Sequence, residues 1–169
     1  MDIIISGALG RMGKKLAQAA QASGVTVVCG VDTAANVQTA EFPLVRTYDQ
    51  IPHKADVVID FSVADNLDAL LDYALQSKTA LVLCVTGYSA QQLDEIGKAS
   101  KQIPILQSAN MSFGVHVLAQ LAAAAARILG DDYDIEIIEK HHNKKVDSPS
   151  GTALMLSGVI QKERGALSP

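Results

Sequence analysis

The chain contains no tryptophan, and its three phenylalanines and four tyrosines hold aromatic residues to 4% of 169 positions. Its core must therefore be built from alanine, valine, isoleucine and leucine, for which a hydrophobic content of 49% is ample. Positive charge is also scarce. Fourteen Lys and Arg against eighteen Asp and Glu leave a net charge of −4, which excludes the broad basic face that a nucleic-acid backbone requires. The only two cysteines, Cys29 and Cys84, lie in apolar strand-like segments and read as core thiols of a reducing compartment rather than as a disulfide. No uninterrupted apolar run approaches the roughly 20 residues that cross a bilayer, and no charged n-region with a long apolar stretch follows Met1. These absences predict a cytoplasmic protein with neither nucleic-acid nor membrane partners. The length fits one domain, or one domain plus part of another.

What is present is an alternation of strand and helix patterns. Strand-like stretches fall at 2–6, 25–31, 56–61, 80–85, 104–107 and 133–140, with helical patterns at about 11–23, 64–77, 89–101, 114–129 and 150–163. The near-continuous apolar strands indicate a sheet covered on both faces, hence parallel. The predicted fold class is α/β, a Rossmann-like doubly wound sheet. The polar segment 32–55, with Pro43 and Pro52, breaks the rhythm and is expected to wrap the sheet edge. The first strand runs into Gly7-Ala8-Leu9-Gly10-Arg11-Met12-Gly13 and then a helix. Glycines at every third position permit a tight turn and a close approach of backbone N–H groups to a pyrophosphate. Asp32 ends the second strand, nineteen residues past Gly13, where the ribose-binding acid of a dinucleotide fold falls. The competing reading is a glycine turn without a ligand. An acid at that position accepts from a 2′-hydroxyl and repels a 2′-phosphate, so NADH is expected to be preferred over NADPH, with Arg11, Lys14 and Lys15 softening the preference.

Ligands of such sheets bind beyond the carboxyl ends of the strands, which singles out Asp60-Phe61-Ser62, Cys84-Val85-Thr86-Gly87 and Gln107-Ser108-Ala109-Asn110-Met111. The densest constellation is Glu139 to Ala153. It holds two adjacent imidazoles, His141 and His142, three ammonium groups, Lys140, Lys144 and Lys145, and a helix start. Cationic side chains and helix-start N–H groups together suit an anionic substrate that must receive a proton. Ser148 is the expected N-cap and Pro149 the first helical residue, leaving the Gly151 and Thr152 amides for a carboxylate. A solvated basic loop is the alternative. A metal site is rejected, because adjacent histidines on a strand point to opposite faces.

On the glycine run, Asp60-Phe61-Ser62, Ala109-Asn110-Met111-Ser112 and above all Glu139 to Ala153, the chain resembles the 4-hydroxy-tetrahydrodipicolinate (dihydrodipicolinate) reductase family. The resemblance implies reduction of a cyclic dicarboxylate in lysine and diaminopimelate biosynthesis. It assigns His141 as the acid/base histidine and Lys145 as the proton-donating lysine. His142, Gly151 and Thr152 match substrate-carboxylate contacts. Gly7, Ala8, Leu9, Gly10, Arg11, Met12, Asp32, Cys84, Val85, Thr86, Ser108, Ala109, Asn110 and Met111 match contacts to NADH or NADPH. It also implies a cofactor domain over 1–112, an α+β substrate and oligomerisation domain over 113–169, and a homotetramer. Cys84-Val85-Thr86-Gly87 stands where Gly-Thr-Thr-Gly is usual, and Met111 where Phe is common. Family members run on for many tens of residues further, so the second domain is expected to be incomplete and the sequence a fragment of a longer protein. Another Rossmann oxidoreductase of amino-acid metabolism and a non-catalytic nucleotide-binding module are the rival readings.

Overall fold

Runs rich in valine, isoleucine and leucine become strands where both faces can be covered, and the first 108 residues do this repeatedly. In the computed structural model, residues 1–34, 41–141, 143 and 148–164 are described. They fall into two compact units, Met1–Ser108 and Ala109–Pro169.

The described residues of the first unit carry six strands, β1 (Asp2–Ser6), β2 (Thr26–Val31), β3 (Leu44–Val45), β4 (Val57–Asp60), β5 (Ala80–Leu83) and β6 (Ile105–Gln107). All pair in parallel, in the order β3-β2-β1-β4-β5-β6. Helices α1 (Arg11–Ala22), α2 (Leu67–Ser77) and α3 (Ala90–Ala99) make the crossovers. Successive strand side chains point to opposite faces, and β1 shows the result. Ile4 joins one apolar cluster with Leu67, Leu70 and Leu71 of α2 and Ile96 of α3. Ile3 and Ile5 join a second cluster with Ala20, Leu16 and Ala17 of α1. A sheet buried on both faces is the doubly wound arrangement the apolar strands predicted. Helix α3 opens with a reciprocal capping box. The Gln92 amide donates to Ser89 Oγ and the Ser89 amide to Gln92 Oε1, which satisfies two donors that a helix start otherwise leaves without partners.

Segment 32–55 does more than wrap an edge. Leu44 and Val45 add β3 beside β2, with Gly30 opposite Leu44 and Val31 opposite Val45. Two residues after a proline are too short to stand out as a strand pattern. The thiols of Cys29 and Cys84 are both free, and burial raises the pKa of each.

In the second unit, α4 (Phe113–Leu129) packs along α5 (Gly151–Arg164). Two expectations are corrected here. Segment 133–140, expected as a strand, is not one, because no described residue of this unit pairs with it and a strand exists only through its ladder. Helix α5 begins at Gly151, not at Pro149. Ser150 Oγ accepts the Ala153 amide at 3.1 Å and Ser150 O accepts the Leu154 amide, so Ser150 rather than Ser148 is the cap. Segment Phe113–Asp132 is long and apolar enough, by length and composition, to cross a membrane. Gly114, His116, Gln120 and Arg127 interrupt the run, so no uninterrupted apolar stretch marks it, yet its mean hydropathy stays that of a span.

Candidate functional site

The glycine loop after β1 is shaped by its own geometry. Gly7 has φ +75, and a Cβ there would sit 2.7 Å from Phe61 O in the loop after β4. A Cβ on Gly13 would meet Ala8 Cα at 2.7 Å. The first glycine thus lets two strand-end loops touch, and the last lets α1 close on the turn. The Gly7 and Ala8 amides both donate to Val31 O, holding the loop against β2.

Asp32 leaves β2 beside this loop. Its Oδ2 accepts the Leu9 amide at 3.0 Å and its Oδ1 the Ala34 amide at 3.0 Å. Each carboxylate oxygen keeps a lone pair, so the acid can fasten the glycine loop and still accept from a ribose hydroxyl. A cavity of ≈ 570 Å³ opens at this edge, lined by Gly7, Gly10 and Asp32 from the glycine-acid motif and by Phe61 and Ser62 after β4. Sequence reasoning missed the rest of its wall, Arg46, Tyr48 and Tyr73 among them. The Tyr48 and Tyr73 rings stack with centroids 6.2 Å apart. Ala8, Leu9, Arg11, Met12, Cys84, Val85, Thr86 and Ser108 sit at the same carboxyl ends of the strands but do not line this cavity. A narrow glycine loop running into a helix start, an acid at the end of the second strand and a ring-walled cavity fit a dinucleotide's adenosine half.

Behind the cavity lies a buried polar cluster. Asp60 is 1% exposed and its Oδ1 accepts the Ser62 amide at 3.0 Å, curling the loop that carries Phe61. Ser6 Oγ and the Tyr48 hydroxyl share a hydrogen bond of 2.8 Å. Burial pushes the Tyr48 hydroxyl up to about 12, with Ser6 opposing the rise and the Asp60 charge adding to it. Burial likewise pushes the Cys84 thiol up to about 11, again with Asp60 adding. Cys84 is therefore a protonated, weakly nucleophilic thiol at neutral pH.

In the second unit, Glu139 organises the predicted chemistry. Its Oε1 accepts the Ser150 amide at 2.9 Å, and its Oε2 lies 3.3 Å from His141 Nδ1. One carboxylate thus joins the acid/base candidate to the start of α5. The Gly151 and Thr152 amides meet no acceptor among the described residues, as an anion cradle requires. Asn110 Nδ2 donates to Thr152 Oγ1 at 2.8 Å, and Asn110 Oδ1 accepts the Ser112 amide at 2.7 Å. A residue assigned to the cofactor is thereby tied to one assigned to the substrate. Ala109 and Met111 flank Asn110 at the start of this unit. His142 and Lys145 lie outside the described residues.

A parallel sheet in the order 3-2-1-4-5-6, a glycine turn after its first strand and an acid at the end of its second define a Rossmann-type nucleotide-binding protein. The family descriptions "Dihydrodipicolinate reductase, N-terminus" and "Dihydrodipicolinate reductase, C-terminus" match residues 1–111 and 114–168. The chain belongs to the dihydrodipicolinate reductase family. It is 43% identical over 160 residues to the 4-hydroxy-tetrahydrodipicolinate reductase of Clostridium novyi, covering 94% of this chain and 63% of that protein. It is 44% identical over 161 residues to that of Caldanaerobacter subterraneus subsp. tengcongensis, covering 95% and 63%. The chain therefore spans a little under two thirds of the length of these curated relatives. Among solved structures, the dipicolinate-bound dihydrodipicolinate reductase from Paenisporosarcina sp. TG-14 superposes with a TM-score of 0.77 at 22% identity, over 100% of this chain and 68% of that one. That likeness establishes the shared fold.

Proposed function

We propose that the chain serves NAD(P)H-dependent reduction of 4-hydroxy-tetrahydrodipicolinate to tetrahydrodipicolinate in lysine and diaminopimelate biosynthesis. The observation that carries this reading is the double attachment of Glu139, to His141 Nδ1 and to the amide of Ser150. The carboxylate at 3.3 Å places an anion beside the imidazole of the acid/base candidate. The same carboxylate fixes the helix start whose next two amides meet no acceptor among the described residues. An acid/base group and a carboxylate cradle held by one side chain suit a substrate that is anionic and must take up a proton.

In this reading Gly7, Ala8, Leu9, Gly10, Arg11, Met12, Asp32, Cys84, Val85, Thr86, Ser108, Ala109, Asn110 and Met111 hold the dinucleotide, which when bound supplies the hydride. His141 and Lys145 deliver the proton, and His142, Gly151 and Thr152 bind the carboxylate. Asp32 favours the free 2′-hydroxyl of NADH. The test is loss of reduced-nicotinamide absorbance with freshly generated substrate, comparing the chain with His141→Ala and Lys145→Ala. Loss of a positioned proton donor costs about 10²- to 10⁴-fold in rate, so turnover should fall by that order in both variants. Turnover indifferent to both substitutions would sink the assignment. Dinucleotide binding without any turnover would leave the chain a cofactor-binding unit only.

A further inference from the structure

One side chain ties the two helix starts of the second unit together. Asn110 lies just ahead of α4, and Thr152 is the second residue of α5. Asn110 Oδ1 accepts the Ser112 amide at 2.7 Å. Ser112 is the N-cap of α4, its Oγ accepting the Val115 amide at 3.4 Å. On the other side, Asn110 Nδ2 donates to Thr152 Oγ1 at 2.8 Å. The oxygen and nitrogen of a carboxamide are told apart by their partners, and here the partners leave one solution. The Ser112 N–H can only donate, so the oxygen must face it and the nitrogen must face Thr152. Nδ2 can only donate as well, so the Thr152 hydroxyl accepts. That hydroxyl carries a single proton, which is thereby directed away from Asn110. The proton meets no acceptor among the described residues, and it lies on the same turn as the Gly151 and Thr152 amides.

We propose that Asn110 is a positioning residue, which makes the Thr152 hydroxyl a dedicated donor to the substrate carboxylate received at the start of α5. The inference rests on the proposed reading of that helix start as a carboxylate cradle, and adds a side chain that acts on the substrate through Thr152. A threonine hydroxyl can rotate between donating and accepting, and only the donating state stabilises an anion. Fixing that state beforehand removes an ordering cost from binding. Asn110→Asp inverts the logic. One carboxylate oxygen can still accept the Ser112 amide, but the other accepts the Thr152 proton and sets a negative charge beside the cradle.

Equilibrium titrations of the chain with pyridine-2,6-dicarboxylate, a cyclic dicarboxylate, with and without NADH, test this without any turnover. Thr152→Val should weaken the dicarboxylate by about ten-fold or more, the worth of one hydrogen bond to a charged group. Asn110→Ala should weaken it by between about two-fold and ten-fold alone, and by less than about two-fold once Thr152→Val is present. Because Asn110 is also read as a dinucleotide contact, the readout is this coupling rather than either single loss, and NADH affinities of the same variants should change additively. Asn110→Asp separates positioning from support of the fold. It keeps an acceptor for Ser112 and adds negative charge near two helix starts, so its melting midpoint should exceed that of Asn110→Ala. It should nevertheless bind the dicarboxylate more weakly than Asn110→Ala does. Dicarboxylate losses that add across the two positions, or affinities that follow the order of the melting midpoints, would overturn the role of Asn110 and leave the cradle standing. No dicarboxylate binding by the unsubstituted chain would overturn the cradle and the inference together.

Discussion

At the scale of single residues, the site's shape depends on positions where one atom decides the outcome. Gly7 combines φ +75 with a hypothetical Cβ 2.7 Å from Phe61 O, whereas Gly87 has φ +82 with nothing within 4 Å of its Cβ position. Alanine at Gly87 pays only the left-handed backbone cost of about 1–2 kcal/mol. Alanine at Gly7 adds a clash with main chain that no side chain can relieve. Thermal melts should show Gly7→Ala lowering the midpoint clearly more than Gly87→Ala, and equal shifts would contradict the packing argument. Tyr48, 7% exposed, gives a second residue-level expectation. Its folded-state pKa is pushed up to about 12, against an ordinary value near 10. Between those values the folded form binds the more protons, so its contribution is complete below pH about 10 and is lost as pH rises towards about 12. Urea unfolding across that window should show falling stability. Tyr48→Phe should flatten part of the slope, while Tyr73 and Tyr88, also raised by burial, keep the remainder. At neutral pH the same substitution should cost about 1 kcal/mol, because the buried Ser6 hydroxyl loses its partner.

At the scale of elements, the sequence was legible where pattern and tertiary context agree. Strands β1, β2, β4, β5 and β6 and helices α1 to α5 lie within a few residues of their apolar patterns, because a doubly covered sheet makes its strands apolar throughout. The glycine turn and Asp32 were readable for the same reason, since both answer to local geometry. Strand β3 was not, because Leu44 and Val45 become a strand only through β2. Arg46 was hidden with it, since it reaches the cavity wall only by following β3, fourteen residues from Asp32 in sequence. Segment 133–140 errs in the opposite direction, with strand-like composition and no ladder in its unit. At the start of α5, Pro149 looked like a first helical residue, yet Ser150 makes the capping hydrogen bond. Ser150→Ala should therefore cost about 1 kcal/mol, read by thermal melting, whereas Ser148→Ala should be nearly neutral. The reverse order would restore the sequence-based cap. Glu139→Gln probes the same corner. A neutral amide oxygen accepts the Ser150 amide more weakly than a carboxylate does, so the melting midpoint should fall in Glu139→Gln and further in Glu139→Ala; no change in either would contradict the anchoring of the helix start by Glu139.

At the scale of the whole molecule, the two units differ in how much apolar material each buries. In the first, two clusters run the length of the sheet and include fully buried residues such as Ile4, Leu70 and Leu83. In the second, the buried hydrophobic residues described are Ala119, Ala126 and Ile160, while Phe113, Leu121, Ile128 and Ile138 are exposed. Helical stability comes mainly from packing of an apolar face rather than from propensity, and local opening is easiest where buried apolar contacts are few. Native-state hydrogen exchange should therefore show β1, β4, β5 and α2 as the slowest-exchanging amides, with α4 and α5 opening at clearly lower free energy. Leu70→Ala, which should cost about 2–5 kcal/mol at a fully buried site, should depress protection throughout the first unit. If α4 and α5 open by their own local route, their exchange should change little in that variant. Protection that falls equally in both units would instead mean that they unfold as one cooperative body, and that the surface described as exposed on α4 and α5 is covered in solution.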